Sequence, residues 1–169
     1  GKSACFQVPA IIFGELADEL TVIISPLIAL MRDQVSSMEE RGVWGVSTYN
    51  TGLDQEARLR VLQEVRTGWT SMLYLAPEQL LDPMVREALF ERGVRLMVID
   101  EAHCISQWGH DFRPDYARLG EVVQWLEPRR LLACTATATS AVRDDILTAL
   151  RIPEARLHVA GFLRENLFL

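Results

Sequence analysis

The run Val94-Arg95-Leu96-Met97-Val98-Ile99 is almost continuously apolar and stops on two adjacent carboxylates, Asp100-Glu101. A short run without polar alternation is the mark of a strand buried on both faces, as in a parallel sheet. The pattern recurs: residues 20–25, 43–49, 71–76, 130–134 and 157–160 read as further strands, each bounded by Pro, Gly or polar residues. Between them the apolar spacing changes to that of helices. Leu27, Met31, Val35 and Met38 mark one, running to about Arg41 with Gly42 placed to cap it. Asp54 is a good N-cap for a second, through Leu59, Leu62 and Val65 to Gly68. Residues 83–92 form a third, closing at Gly93; Leu119, Val122, Val123 and Leu126 mark a fourth, ended by Pro128; Val142, Ile146 and Leu150 mark a fifth. Another helix opens close to the N-terminus, after Gly1-Lys2-Ser3, and includes Pro9. Strands alternating with helices along a chain of 169 residues predict one α/β domain, a mainly parallel sheet with helices on both faces.

In such a sheet the carboxyl ends of the strands share one rim, and ligands collect there. Ser25-Pro26, Ala76-Pro77-Glu78, Asp100-Glu101 and Thr135-Ala136-Thr137 all fall just after strands. Asp100 and Glu101 can hold a metal and activate a water; the bland alternative is a solvated pair closing a strand. Gly1-Lys2-Ser3 is the closing half of the phosphate-cradling pattern G-x-x-x-x-G-K-[ST], in which the lysine reaches phosphates and the hydroxyl ligates Mg²⁺. Three residues alone fit an exposed turn as well, but combined with two strand-end acids they point to nucleotide chemistry. Thr135, Thr137 and Thr139 alternate with alanine, which is not a core pattern; an ST-turn capping the next helix is the plain alternative. The stretch that follows Asp100-Glu101 crowds Trp108, His110, Phe112 and Arg113 into six residues, a loop kinked by Gly109 and Pro114. Aromatics and cations on a loop suit stacking on bases and gripping phosphates, or else tuck the loop onto the domain.

Composition narrows the partners. The net charge is −6, and Lys2 is the only lysine among 17 cations. A generic polyanion binder would present a basic face, so contact with nucleic acid is expected to be local. Cys5, Cys104 and Cys134 are odd in number and lack metal-ligand spacing, so neither a disulfide framework nor a cysteine–metal site is expected. No run reaches the length of a membrane span and no secretory signal opens the chain, which makes an intracellular protein the default expectation.

Asp100-Glu101-Ala102-His103, followed by Cys104-Ile105-Ser106-Gln107-Trp108-Gly109-His110-Asp111-Phe112-Arg113-Pro114, resembles the RecQ family of superfamily 2 DNA helicases. The likeness extends along the chain. Gly1-Lys2-Ser3 resembles the end of motif I, Ser25-Pro26-Leu27 with the residues to Gln34 resembles motif Ia, Tyr74-Leu75-Ala76-Pro77-Glu78 motif Ib, and Thr135-Ala136-Thr137-Ala138 motif III. The resemblance implies a RecA-like P-loop NTPase lobe over residues 1–161, opening inside motif I. Residues 162–169 would be an interlobe segment leading to a second RecA-like lobe that supplies an arginine finger. In that segment Arg164 and Asn166 match the family while Leu163 and Glu165 depart from it.

It further implies an ATP- and Mg²⁺-dependent enzyme that unwinds DNA 3′-to-5′ in recombination, repair and replication, acting on single-stranded and partial-duplex DNA. Its place would be the bacterial cytoplasm, at the nucleoid, or the eukaryotic nucleus. By the same resemblance Gly1, Lys2 and Ser3 bind the nucleotide, Ser3 and Asp100 the metal, and Glu101 orients and deprotonates the attacking water. His103 joins that network to Thr135 and Thr137. Gln107, Trp108, His110, Phe112 and Arg113 sense DNA and report it to the ATP site. Two alternatives stand beside this reading: an RNA-directed relative in the same superfamily, and a nucleic-acid-binding lobe without hydrolysis.

Overall fold

The computed structural model describes residues 2–159. Five strands, β1 (Leu20–Ile24), β2 (Val46–Tyr49), β3 (Met72–Leu75), β4 (Val94–Ile99) and β5 (Arg130–Ala133), form one sheet in the order β2-β3-β1-β4-β5. Every pairing is parallel, and Ile24 lies opposite both Leu75 and Ile99, with Ile99 opposite Ala133. All five carboxyl ends therefore meet at one edge.

The period-two alternation of the strands decides which helix packs where. Leu20, Val22, Ile24, Leu73, Leu75, Met97 and Ile99 face one side, and Ile23, Tyr74, Leu96 and Val98 the other. The first set packs against α3 (Gln55–Thr67), α4 (Pro83–Arg92), α6 (Leu119–Leu126) and α7 (Ser140–Leu150), with the short helix α5 (Pro114–Ala117) contributing Tyr116. The second set packs against α1 (Ala4–Ala17) and α2 (Ile28–Glu39) through Phe6, Ala10, Met31 and Met38. Each fully buried aliphatic side chain contributes roughly 1.5–3 kcal/mol of transfer free energy, so the central strand β1, buried at every position, anchors both layers.

Local chemistry sets the boundaries. Asp54 caps α3 by accepting from the Ala57 amide at 2.7 Å, and Gly68 ends it at φ 82°. After α2 the chain turns through a left-handed Gly42, whose amide donates to Glu39 O while Val43 N donates to Met38 O. This Schellman closure satisfies the last carbonyls, and Pro9 does not interrupt α1.

Two expectations are corrected. The strand expected over residues 43–49 begins only at Val46, because Gly42 and Gly45 both hold positive φ, 78° and 72°, outside the β region. The final strand expected over residues 157–160 is not formed at 157–159. Leu157 and Val159 are exposed there and pair with no strand; β-forming residues make a strand only against a partner's ladder. Ala160, the proposed boundary at 161/162 and the interlobe likeness of residues 161–167 lie outside the described residues, as does Gly1.

Candidate functional site

The rim assembles most of the residues singled out above. Asp100 N donates to Ile24 O and Cys134 N to Ile99 O, both at 2.9 Å, which extends the ladders one residue past the strands. Asp100 is buried there. One carboxylate oxygen accepts from the Glu101 amide at 3.0 Å, and its backbone carbonyl accepts from the Tyr116 hydroxyl at 3.1 Å. Glu101 takes a left-handed backbone, φ 48°, which turns the chain sharply off the strand.

Lys2 comes to the same point from the first turn beside α1. Its ammonium pairs with Asp100 Oδ1 at 3.3 Å and with Glu101 Oε1 in a shorter contact. Burial alone would lower the Lys2 pKa, but the hydrogen bond to Glu101 and the charges of both acids outweigh it and hold the ammonium above its usual range. Ser3 is the N-cap residue of α1, and its hydroxyl makes no capping hydrogen bond.

Glu101 has a second neighbour: its Oε2 lies 3.3 Å from His103 Nδ1. The same nitrogen lies 3.0 Å from Thr135 Oγ1. A carboxylate only accepts, so with Glu101 Oε2 close by the proton belongs on Nδ1, donated to the Thr135 oxygen. Thr135 Oγ1 also accepts from the Thr137 amide at 3.2 Å, a local turn, while the helix cap anticipated from sequence is made by Thr139, which accepts from Val142 N. Turn and contact with His103 are thus both present. His103 is buried, and its pKa is lowered by that burial and by His110, against the pull of Glu101, so the ring is neutral at neutral pH.

The loop lies beside this cluster. His110 stacks on His103 with ring centroids 4.2 Å apart and planes at 17°. Arg113 is turned inward, donating from Nη1 to Pro26 O at 2.9 Å and pairing with Asp111 at 3.1 Å, so it ties the loop to the end of β1. Trp108 stands 80% exposed and is not tucked onto the domain. Phe112 is 37% exposed. Gln107 and Thr137 are exposed as well.

A family model described as DEAD/DEAH box helicase matches residues 1–145. The chain belongs to the DEAD/DEAH box helicase family. Within that family it is 41% identical over 169 residues to the probable ATP-dependent DNA helicase RecS of Bacillus subtilis (strain 168), covering 100% of this chain and 33% of that protein. It is 42% identical over 168 residues to the ATP-dependent DNA helicase RecQ of the same organism, covering 99% of this chain and 28% of that protein. The chain thus spans about a third of the length of these curated relatives, and the RecQ resemblance extends over all of it. Among solved structures, a hypothetical ATP-dependent RNA helicase from Sulfolobus tokodaii superposes with a TM-score of 0.66 at 17% identity, over 90% of this chain and 43% of that one. At that identity the likeness is one of fold, the RecA-like helicase lobe.

Some residues of this DEAD/DEAH lobe were not singled out from sequence. Tyr116 buttresses Asp100 from behind, yet in sequence it is one more aromatic near a helix start. Its hydroxyl pKa is pushed up strongly by burial, so it stays a neutral donor. Ser106, in sequence only the polar residue that opens the loop, is buried and donates to Asp145 of α7 at 2.5 Å.

Proposed function

We propose that the chain is the first RecA-like lobe of an ATP-dependent, 3′-to-5′ DNA helicase of RecQ type, and that it couples ATP hydrolysis to DNA contact within one strand-end cluster. The observation that carries this is the continuous series of contacts Lys2–Glu101–His103–His110, with Thr135 on the same His103 nitrogen. Phosphate-facing and base-facing elements are adjacent there.

The donor set fits a nucleoside triphosphate with Mg²⁺. Hard oxygens (the Ser3 hydroxyl, which makes no capping bond, and the Asp100 carboxylate) stand beside an ammonium at the N-terminus of a 14-residue helix. Gly1 and Lys2 would hold the phosphates, and Ser3 and Asp100 would hold the metal directly or through its water. When bound, Mg²⁺-ATP supplies the anhydride whose hydrolysis drives movement. Of the Glu101 oxygens, Oε1 is fixed by Lys2, leaving Oε2 to orient a water and take its proton. His103 steadies that oxygen through Nδ1 and, being neutral, does not compete for its charge.

Exposed Trp108 and Phe112 are suited to stack on bases of single-stranded DNA, and Gln107 adds a polar edge. Movement of the loop on binding would carry His110 across His103 and reset the grip on Glu101, with Thr135 and Thr137 passing the change onward. The substrates would be single-stranded and partial-duplex DNA, the partner a second RecA-like lobe of the same protein, and the setting the nucleoid or nucleus.

The test uses the full-length protein, with ATP hydrolysis measured with and without single-stranded DNA. Glu101→Gln is expected to lower turnover by about 10²–10⁴-fold while ATP binding persists. Trp108→Ala is expected to keep most DNA binding yet lose stimulation; a variant stimulated as fully as wild type would show the coupling role to be wrong. Unwinding of a partial duplex from a 5′ overhang rather than a 3′ one would overturn the polarity.

A further inference from the structure

The root of the Trp108 loop is held by a residue far away in the chain. Ser106 is the hub. Its amide donates to His103 O at 3.2 Å and its carbonyl accepts from Gly109 N at 3.0 Å. Its hydroxyl accepts from the Trp108 amide at 3.1 Å and donates to Asp145 Oδ2 at 2.5 Å. A hydroxyl has one proton and two lone pairs, so both bonds coexist, and the carboxylate acceptor makes the second the stronger kind.

Asp145 sits on α7, which is fixed along its length. Val142, Ile146 and Leu150 are buried, and the Thr139 hydroxyl caps the first turn by accepting from Val142 N at 3.3 Å. Near its far end α6 presses so close at Gly120 that a Cβ there would lie 1.9 Å from Ala149 O. α7 also follows directly on Thr135–Thr139. Two ties therefore join the same two segments: His103 to Thr135 beside the acid, and Ser106 to Asp145 at the base of the loop.

We propose that Asp145 is a positioning residue that sets the root of the Trp108 loop, so that the loop and the threonine segment move as one piece through α7. The proposal rests on the coupling reading above. It assigns Asp145 no contact with nucleotide or DNA. Its effect passes through Ser106 to the backbone of Trp108.

In the full-length protein, with an oligo(dT) strand as activator, Asp145→Ala is expected to lower the DNA-stimulated kcat by roughly 2- to 30-fold. DNA-free turnover and the KM for ATP should stay as in wild type. Asp145→Asn, which keeps an acceptor oxygen, should restore most of the stimulation. Ser106→Ala should lose stimulation to the same degree as Asp145→Ala, and the double variant should be no worse than either single.

Wild-type stimulation in Asp145→Ala, an equal loss with and without DNA, or additive losses in the double variant would each overturn the proposal. Should Asp145→Ala not fold, the comparison of Asp145→Asn with Ser106→Ala decides: near-wild-type and impaired stimulation respectively support it, and any other order sinks it. A wild-type enzyme that oligo(dT) does not stimulate would remove the coupling reading itself. A stimulated wild type with an indifferent Asp145→Ala removes only this step.

Discussion

His103 shows how much of a site can rest on one nitrogen. Its Nδ1 serves both Glu101 and Thr135, and its ring face serves His110. Burial, and then His110, lower its pKa from the usual 6.5. As pH falls, the unfolded chain therefore takes up this proton first. The stability that His103 contributes is complete above pH 6.5 and is lost as pH falls through the lower folded value. Unfolding by urea, followed from about pH 8 to about pH 5, should show His103→Gln losing less stability on the acid side than wild type; parallel curves would contradict the assignment. Asp100-Glu101 was legible in sequence because two acids closing an apolar run are conspicuous. Tyr116 and Asp145 were not, since each looks ordinary on its own helix and acquires its partner only through tertiary packing.

At the scale of elements, the strands were legible because burial on both faces leaves an unbroken apolar run, and their observed ends fall within one residue of expectation for β1, β3, β4 and β5. β2 was three residues shorter because glycine geometry overrides the propensity of Val43 and Trp44. Hydrophobic spacing placed α7 but said nothing of how tightly α6 lies on it. That contact depends on Gly120, where an added methyl would meet Ala149 O at 1.9 Å. Backbone cannot yield as a flexible side chain does, so Gly120→Ala should cost about 1–3 kcal/mol by overpacking. The measurement is the denaturant midpoint of the lobe's unfolding, and an unchanged midpoint would mean that the helices separate freely. If they did, α7 would be too loose a post to position the loop.

For the whole molecule, the distribution of charge bears on how DNA would be held in the helicase reading. Arg66, Arg92, Arg95 and Arg129 pair with Glu87, Glu91, Asp18 and Glu19, acids that mostly flank the starts of the strands, away from the rim. At the rim Arg113 is tied to Asp111 and Pro26 O, and the chain carries −6 overall. These arginines are therefore engaged within the lobe, and in the proposed reading the loop's contact with DNA would come from its exposed aromatics. The proposed catalysis would have a matching gap: no cation beyond Lys2 contacts the Asp100-Glu101 pair among the described residues. In the RecQ reading an arginine comes from the second lobe, an effect worth about 10³–10⁵-fold in related phosphoryl transfers. Residues 1–169 alone should accordingly hydrolyse ATP at least about 10³-fold more slowly than the full-length protein with DNA; comparable DNA-stimulated turnover by the isolated segment would refute the two-lobe reading. DNA affinity gives a separate check. Counterion release makes log K fall with log salt in proportion to the phosphates contacted, whereas stacking adds affinity without changing that slope. In titrations of the full-length protein across a salt series, Trp108→Ala, which keeps most DNA binding, should therefore lower the line only slightly and leave its slope as in wild type. A slope reduced by about one would instead make the loop a phosphate clamp, and the exposed indole would then need another purpose.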